Sequence, residues 1–106
     1  MPSIGKLVKK NNISYLALFG SFAREDAGPD SDVDMIVDFA TRVSYFDLIR
    51  IEREFSTLLG RKVDLVTERS IKKDLRPFIN EDKKVLFYDE NKPRLYQRYP
   101  KSYRID

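Results

Sequence analysis

At 106 residues, with 42% hydrophobic and 35% charged side chains, the chain fits one soluble domain with a modest core and leaves little room for a second. It contains no cysteine and no histidine. That excludes a thiol nucleophile, disulfides and ordinary zinc sites, and leaves carboxylates, with hard divalent cations such as Mg²⁺ or Mn²⁺, for any acid–base or metal chemistry. The net charge of +3 is spread along the chain: residues 1–88 carry 15 Lys/Arg against 14 Asp/Glu, and residues 89–106 five against three. This is weak support for a nucleic-acid groove, and no direct nucleic-acid binding is expected. No stretch is apolar enough for a membrane span or a secretory signal, so a cytoplasmic protein is expected.

Ser3 is placed to cap a short helix whose Ile4, Leu7 and Val8 share one face, ended by Asn11-Asn12. Residues 13–19, Ile-Ser-Tyr-Leu-Ala-Leu-Phe, are almost continuously apolar and read as a buried strand. Gly20-Ser21 breaks that strand, and Phe22-Ala23-Arg24 is expected to form one helical turn before a loop punctuated by Gly28-Pro29-Asp30. Residues 32–39 alternate as a second strand, with Val33, Met35, Val37 and Phe39 opposite Asp32, Asp34, Ile36 and Asp38.

Ser44 opens the main helix through Ser44-Tyr45-Phe46-Asp47, which resembles a capping box with Asp at its fourth place. Tyr45, Leu48, Ile49, Phe55, Leu58 and Leu59 form its apolar stripe, and Gly60 suits its C-cap. Residues 62–67 read as a third strand containing Asp64. A helix over residues 70–80, kinked or divided at Pro77, and a last strand over 85–88 complete the pattern. The alternation predicts an α/β (α+β) domain over residues 1–88, one sheet covered by helices. Residues 89–106, where Tyr96, Tyr99 and Tyr103 lie among Lys92, Arg94, Arg98, Lys101 and Arg104, are expected to be an irregular tail ordered only against another molecule, for which a partner-docking role and a self-packed end are the competing readings.

Asp32 and Asp34, two residues apart on a strand, point to one face with Cα atoms roughly 6–7 Å apart. Carboxylates so spaced can share divalent cations, which phosphoryl transfer needs to neutralise a triphosphate and align the entering and leaving oxygens. D-x-D alone is common on exposed strand faces. Gly20-Ser21 adds to it: glycine at a strand end admits a ligand close to the backbone, the following N–H groups favour a phosphate, and the Ser21 hydroxyl is a further donor. Asp64, flanked by Val63 and Leu65, should be costly to bury unless paired or metal-bound. If its strand lies beside that of Asp32 and Asp34, the three carboxylates converge, and Asp64 completes a metal site or accepts the proton of an attacking hydroxyl. Otherwise it is an edge-strand residue paired with Arg61 or Lys62.

Gly20-Ser21, ten residues, then Asp32-Val33-Asp34 resembles the signature of the DNA polymerase beta-like nucleotidyltransferase superfamily. The runs Leu18-Phe19-Gly20-Ser21-Phe22-Ala23-Arg24 and Ser31-Asp32-Val33-Asp34-Met35-Ile36-Val37 are similar to its minimal single-domain branch. The resemblance covers residues 13–88. It implies a mixed sheet flanked by helices, ATP as substrate, two Mg²⁺ ions, and transfer of a nucleoside monophosphate to a hydroxyl with release of pyrophosphate. It implies Gly20 and Ser21 at the triphosphate, Asp32 and Asp34 as metal ligands, Asp64 as the third carboxylate, and Arg24 within reach of phosphate, although an ion-paired surface position accounts for Arg24 equally well. Many relatives carry glycine after that arginine, where this chain has Glu25.

This minimal branch is best known for antitoxins of the MntA type, which are paired with a helical HEPN ribonuclease toxin. The resemblance thus implies AMP transfer to a tyrosine of such a partner in a hetero-oligomer. Neutralisation by binding and occlusion alone, and transfer to a small-molecule acceptor, are the alternatives.

Overall fold

The computed structural model describes residues 3–96. Helix α1 (Ile4–Lys10) is capped by the Ser3 hydroxyl, which accepts from the Lys6 N–H at 3.2 Å. It leads into β1 (Ile13–Phe19), the short helix α2 (Gly20–Arg24) and β2 (Val33–Phe39). Helix α3 (Tyr45–Leu59) starts on a complete capping box between Ser44 and Asp47 and ends on Gly60 in the left-handed region at φ +66°. Strand β3 (Val63–Thr67), two 3₁₀ turns (Glu68–Ser70 and Lys73–Leu75), α4 (Arg76–Asp82) and β4 (Lys84–Tyr88) complete the order. None of the helices is long and apolar enough to cross a membrane among the described residues.

The four strands lie in the order β3-β2-β1-β4. β1 is antiparallel to both β2 and β4, while β2 and β3 are parallel and joined through α3. This is the helix-covered sheet that the alternation predicted, and it is mixed, as the family resemblance implied.

Strand alternation divides the core in two. Val33, Met35, Val37 and Phe39 of β2 face α1 and α3, where they meet Leu7, Val8, Ile51 and Phe55. The opposite face carries Tyr15, Ala17 and Ile36, covered by Ile71 and by Ile79 of α4. Full burial of Phe55 and Ile51 against the sheet contributes about 1.5–3 kcal/mol each. Helix α3 also seals one sheet edge. The N–H of Val63 donates to Ser56 Oγ at 3.0 Å, and that of Leu65 to Glu52 Oε2 at 2.8 Å, so these β3 donors have partners on α3.

Two expectations change. The helix over residues 70–80 is replaced by two 3₁₀ turns and a seven-residue helix with Pro77 in its first turn, where a missing N–H removes no hydrogen bond. Extended backbone at Ile71 (φ −75°, ψ 128°) separates the pieces. The start of the tail, moreover, orders against the domain itself. The N–H groups of Leu95 and Tyr96 donate to the Phe39 carbonyl (3.1 Å) and to Asp38 Oδ1 (2.7 Å). The Tyr96 hydroxyl accepts from the Val43 N–H and donates to the Val43 carbonyl.

Arg94 lies over the Tyr15 ring at 3.9 Å, with Nε 3.3 Å from Asp38 Oδ2 and Nη2 2.7 Å from Glu68 Oε2. Asp38, on the same face of β2 as Ile36, is fully buried beneath this latch. Tyr99, Tyr103, Arg98, Lys101 and Arg104 lie outside the described residues.

Candidate active site

The site forms where β1 ends and β2 begins. Phe19 pairs with Asp34 across β1 and β2, and Asp34 pairs with Asp64 across the parallel β2 and β3. In-register residues on adjacent strands are about 4.8 Å apart and share a face. The strand order therefore brings together the three carboxylates that the sequence spacing left conditional. Asp32 lies one pleat before Asp34, exposed, with Oδ2 3.9 Å from Lys62 Nζ.

Asp64 is exposed rather than buried, because β3 is the edge strand and the sheet face above it is open at this end. The cost foreseen for a buried carboxylate therefore does not arise.

Asp34 is the half-buried centre of the group. Burial first, then the charges of Asp64 and Asp32, push its carboxyl above the usual value of 3.8, while Arg24 pulls it down. Among the described residues no three or more acidic side chains are gathered closely enough to hold a metal ion as they stand. The donor set, all carboxylate oxygen with mutual repulsion at its centre, nonetheless suits a hard divalent cation.

Gly20 makes the approach to Asp34 possible. Its φ is +71°, and a Cβ built there would lie 2.5 Å from Asp34 Oδ2. The first turn of α2 has no side-chain cap, which leaves its leading N–H groups available to an anion beside Ser21. Arg24 is on the rim, exposed, with Nε 3.2 Å from Asp26 Oδ2 and Nη1 3.9 Å from Asp82 Oδ2. Arg24 is thus an ion-paired surface residue whose charge also acts on Asp34.

Glu25 follows at φ +63°, the left-handed C-cap position that glycine fills without strain. Its carboxylate meets Lys84 Nζ of β4 at 2.9 Å. The helix terminus therefore keeps its geometry despite the departure from glycine.

Arg61 was foreseen only as a partner for Asp64. Its Nη1 instead donates to the carbonyls of Gly28, Pro29 and Ser31 at 3.2–3.3 Å, and its guanidinium lies 5.1 Å from the Phe22 ring centre. It ties the loop that delivers Asp32 to the helix that follows Gly20. Leu75, Phe78 and Asp82 border the same region and were also missed. Leu75, Phe78, Ile79 and Asp82 do recur at helical spacing, but that spacing does not say which element they face.

The family profile "Polymerase beta, Nucleotidyltransferase" matches residues 3–92, and the chain belongs to that family. It is 43% identical over 65 residues to a Methanocaldococcus jannaschii protein provisionally named protein adenylyltransferase, covering 61% of this chain and 66% of that one, so the match spans just under two thirds of the relative. It is 39% identical over 67 residues to the protein adenylyltransferase MntA of Thermococcus cleftensis, covering 63% and 68%. Among solved structures, a chain of a toxin–antitoxin crystallised with AMP-PNP superposes with a TM-score of 0.69 at 26% identity, over 83% of this chain and 73% of that one.

Proposed function

We propose that this chain is the antitoxin of a toxin–antitoxin pair and acts by transferring AMP from ATP to a tyrosine hydroxyl of a HEPN-family ribonuclease partner. The observation that carries the chemistry is the Asp34–Asp64 register beside the side-chain-free approach at Gly20. The named adenylyltransferase relatives and the toxin–antitoxin neighbour support the choice of reaction and partner.

In this reading Gly20, Ser21 and the first N–H groups of α2 hold the triphosphate, and Arg24 adds a positive charge at its rim. Asp32 and Asp34, with Asp64 beside them, would hold two Mg²⁺ ions, which when bound neutralise the triphosphate and align the entering and leaving oxygens. The tyrosine oxygen bonds to the α-phosphorus while the bond from that phosphorus to its β-bridging oxygen breaks. Pyrophosphate departs with the electron pair. The phenolic proton passes to a carboxylate, and Asp64 is the candidate because it is exposed and histidine is absent from the chain. The remainder of the tail, rich in Tyr and Arg, is assigned to the partner interface, and a cytoplasmic setting fits the pair.

The test is mass spectrometry of the helical protein encoded beside this gene after incubation with ATP and Mg²⁺. Increments of AMP on a tyrosine are expected, and an unmodified partner that is nonetheless silenced would favour occlusion. Gly20→Ala should leave a folded protein, destabilised by roughly 1–2 kcal/mol through the left-handed backbone. Displacement of Asp34 by the added methyl should slow transfer at least about 100-fold. Single-turnover rates beside a circular-dichroism melt separate the two effects.

A further inference from the structure

A slot of about 230 Å³ opens between α2 and α4, with Gly20 and Arg24 on one side, Leu75, Phe78 and Ile79 on the other, and Asp82 at its rim. It is smaller than the roughly 300–1,000 Å³ of sites that enclose a whole drug-sized ligand, so it suits one end of a nucleotide. Ile79 turns inward onto the second core cluster, whereas Phe78 and Leu75 stay 68% and 51% exposed. Neither exposed side chain is needed to close the core, and both border the slot.

The geometry points to this slot as the nucleobase site of the triphosphate assigned to the Gly20 turn, with Phe78 as stacking surface and Asp82 as acceptor for the base's exocyclic amine. The inference rests on the nucleotidyltransferase reading and adds base recognition to it. Two observations favour a base over the aromatic ring of an acceptor. Gly20 and Arg24 belong both to the slot and to the proposed phosphate site, so one molecule can occupy both. The slot lies on the β1 side of Asp34, where Phe19 also lines it, whereas Asp64 lies on the β3 side. A hydroxyl that gives its proton to Asp64 therefore approaches from the flank away from the slot. Among bases, Asp82 sets the choice: ionised, it can only accept hydrogen bonds, which suits the amine of adenine and opposes the carbonyl that replaces it in hypoxanthine.

The test is calorimetric titration of the full chain in Mg²⁺ buffer with ATP, ITP and inorganic tripolyphosphate. ATP should bind about tenfold more tightly than ITP, and Asp82→Asn should erase or invert that preference. Phe78→Ala should weaken ATP and ITP alike by about tenfold or more and leave tripolyphosphate unchanged. Because Phe78 is largely exposed, its removal should not unfold the protein, which a melt verifies. If tripolyphosphate binds but Phe78→Ala and Asp82→Asn leave the ATP and ITP affinities as they were, the base assignment is wrong while the triphosphate site stands. If Phe78→Ala keeps ATP affinity and slows only transfer to the partner, the slot belongs to the acceptor. Failure of both tripolyphosphate and ATP to bind the unmutated chain would remove the underlying nucleotide site as well.

Discussion

Asp34→Asn should abolish AMP transfer and raise the melting temperature in the same molecule. The loss follows from removing the central carboxylate, which faces Asp64 in register and has Asp32 one pleat away. A drop in single-turnover rate of at least about a thousandfold is expected, the scale of removing a principal electrostatic element from an active site.

The gain in stability follows from the direction of the pKa shift. Burial and two like charges raise the folded-state value above the usual 3.8. The stabilising contribution of this group is therefore fully present below about pH 3.8 and is lost as pH rises through the folded value. At neutral pH the charged form opposes folding, and a neutral amide of the same shape relieves that opposition. Calorimetric melts in EDTA, with and without the substitution, should show a higher transition for Asp34→Asn at pH 7 and a vanishing difference near pH 3.5. Undiminished transfer by the variant would remove Asp34 from the chemistry. A lower melting temperature would mean that its carboxylate holds the fold together instead of straining it, as functional residues commonly do.

The second large effect is at the latch. Arg94→Ala should cost about 3 kcal/mol, or roughly 10–20 °C in melting temperature, because it leaves Asp38 buried without its counter-ion. Arg94 is only 12% exposed, lies between Asp38 and Glu68, and covers the Tyr15 ring, so packing is lost along with charge.

Burial already raises the Asp38 carboxyl, against the lowering by the N–H groups of Tyr96 and Phe39 and by Arg94. Without the guanidinium the folded value moves further up, and the deficit should grow from pH 5 to pH 8 as the proton is lost. Adding Asp38→Asn should recover much of the stability at pH 8, since the amide oxygen can still accept from the two backbone donors. Urea unfolding of the single and double variants at both pH values measures this coupling. A cost below about 1 kcal/mol that does not change with pH would show that residues 94–96 are not held by this pair.

Much of the architecture is legible from local chemistry. The capping box at Ser44, the Gly60 terminus, the alternation in residues 32–39 and the apolar run in residues 13–19 specify their elements through interactions only a few residues apart. The break at Gly20-Ser21 and the spacing to Asp32 and Asp34 belong to the same kind of information, and the family resemblance rests on them.

Other features depend on which strands become neighbours. Asp64 joins Asp34 only because β3 lies parallel to β2, and it remains exposed only because β3 is at the edge. In the sequence Asp38 is one more carboxylate of the strand alternation, and only the fold brings Arg94, 56 residues later, over it. Arg61 looks like a partner for Asp64 until its contacts with the loop before Asp32 are seen. The helical spacing of Leu75, Phe78, Ile79 and Asp82 is visible in the sequence, but not that α2 lies opposite them to form the slot.

By itself, then, the sequence determined the strands, the main helix and the glycine–serine and aspartate motif, because hydrogen bonding and hydrophobic period act over a few residues. Only the tertiary structure decided that Asp64 completes the carboxylate group and that residues 94–96 close on the domain. It also decided that α2 and α4 frame a slot beside Gly20, since these features join residues whose separation along the chain carries no information about their distance in space.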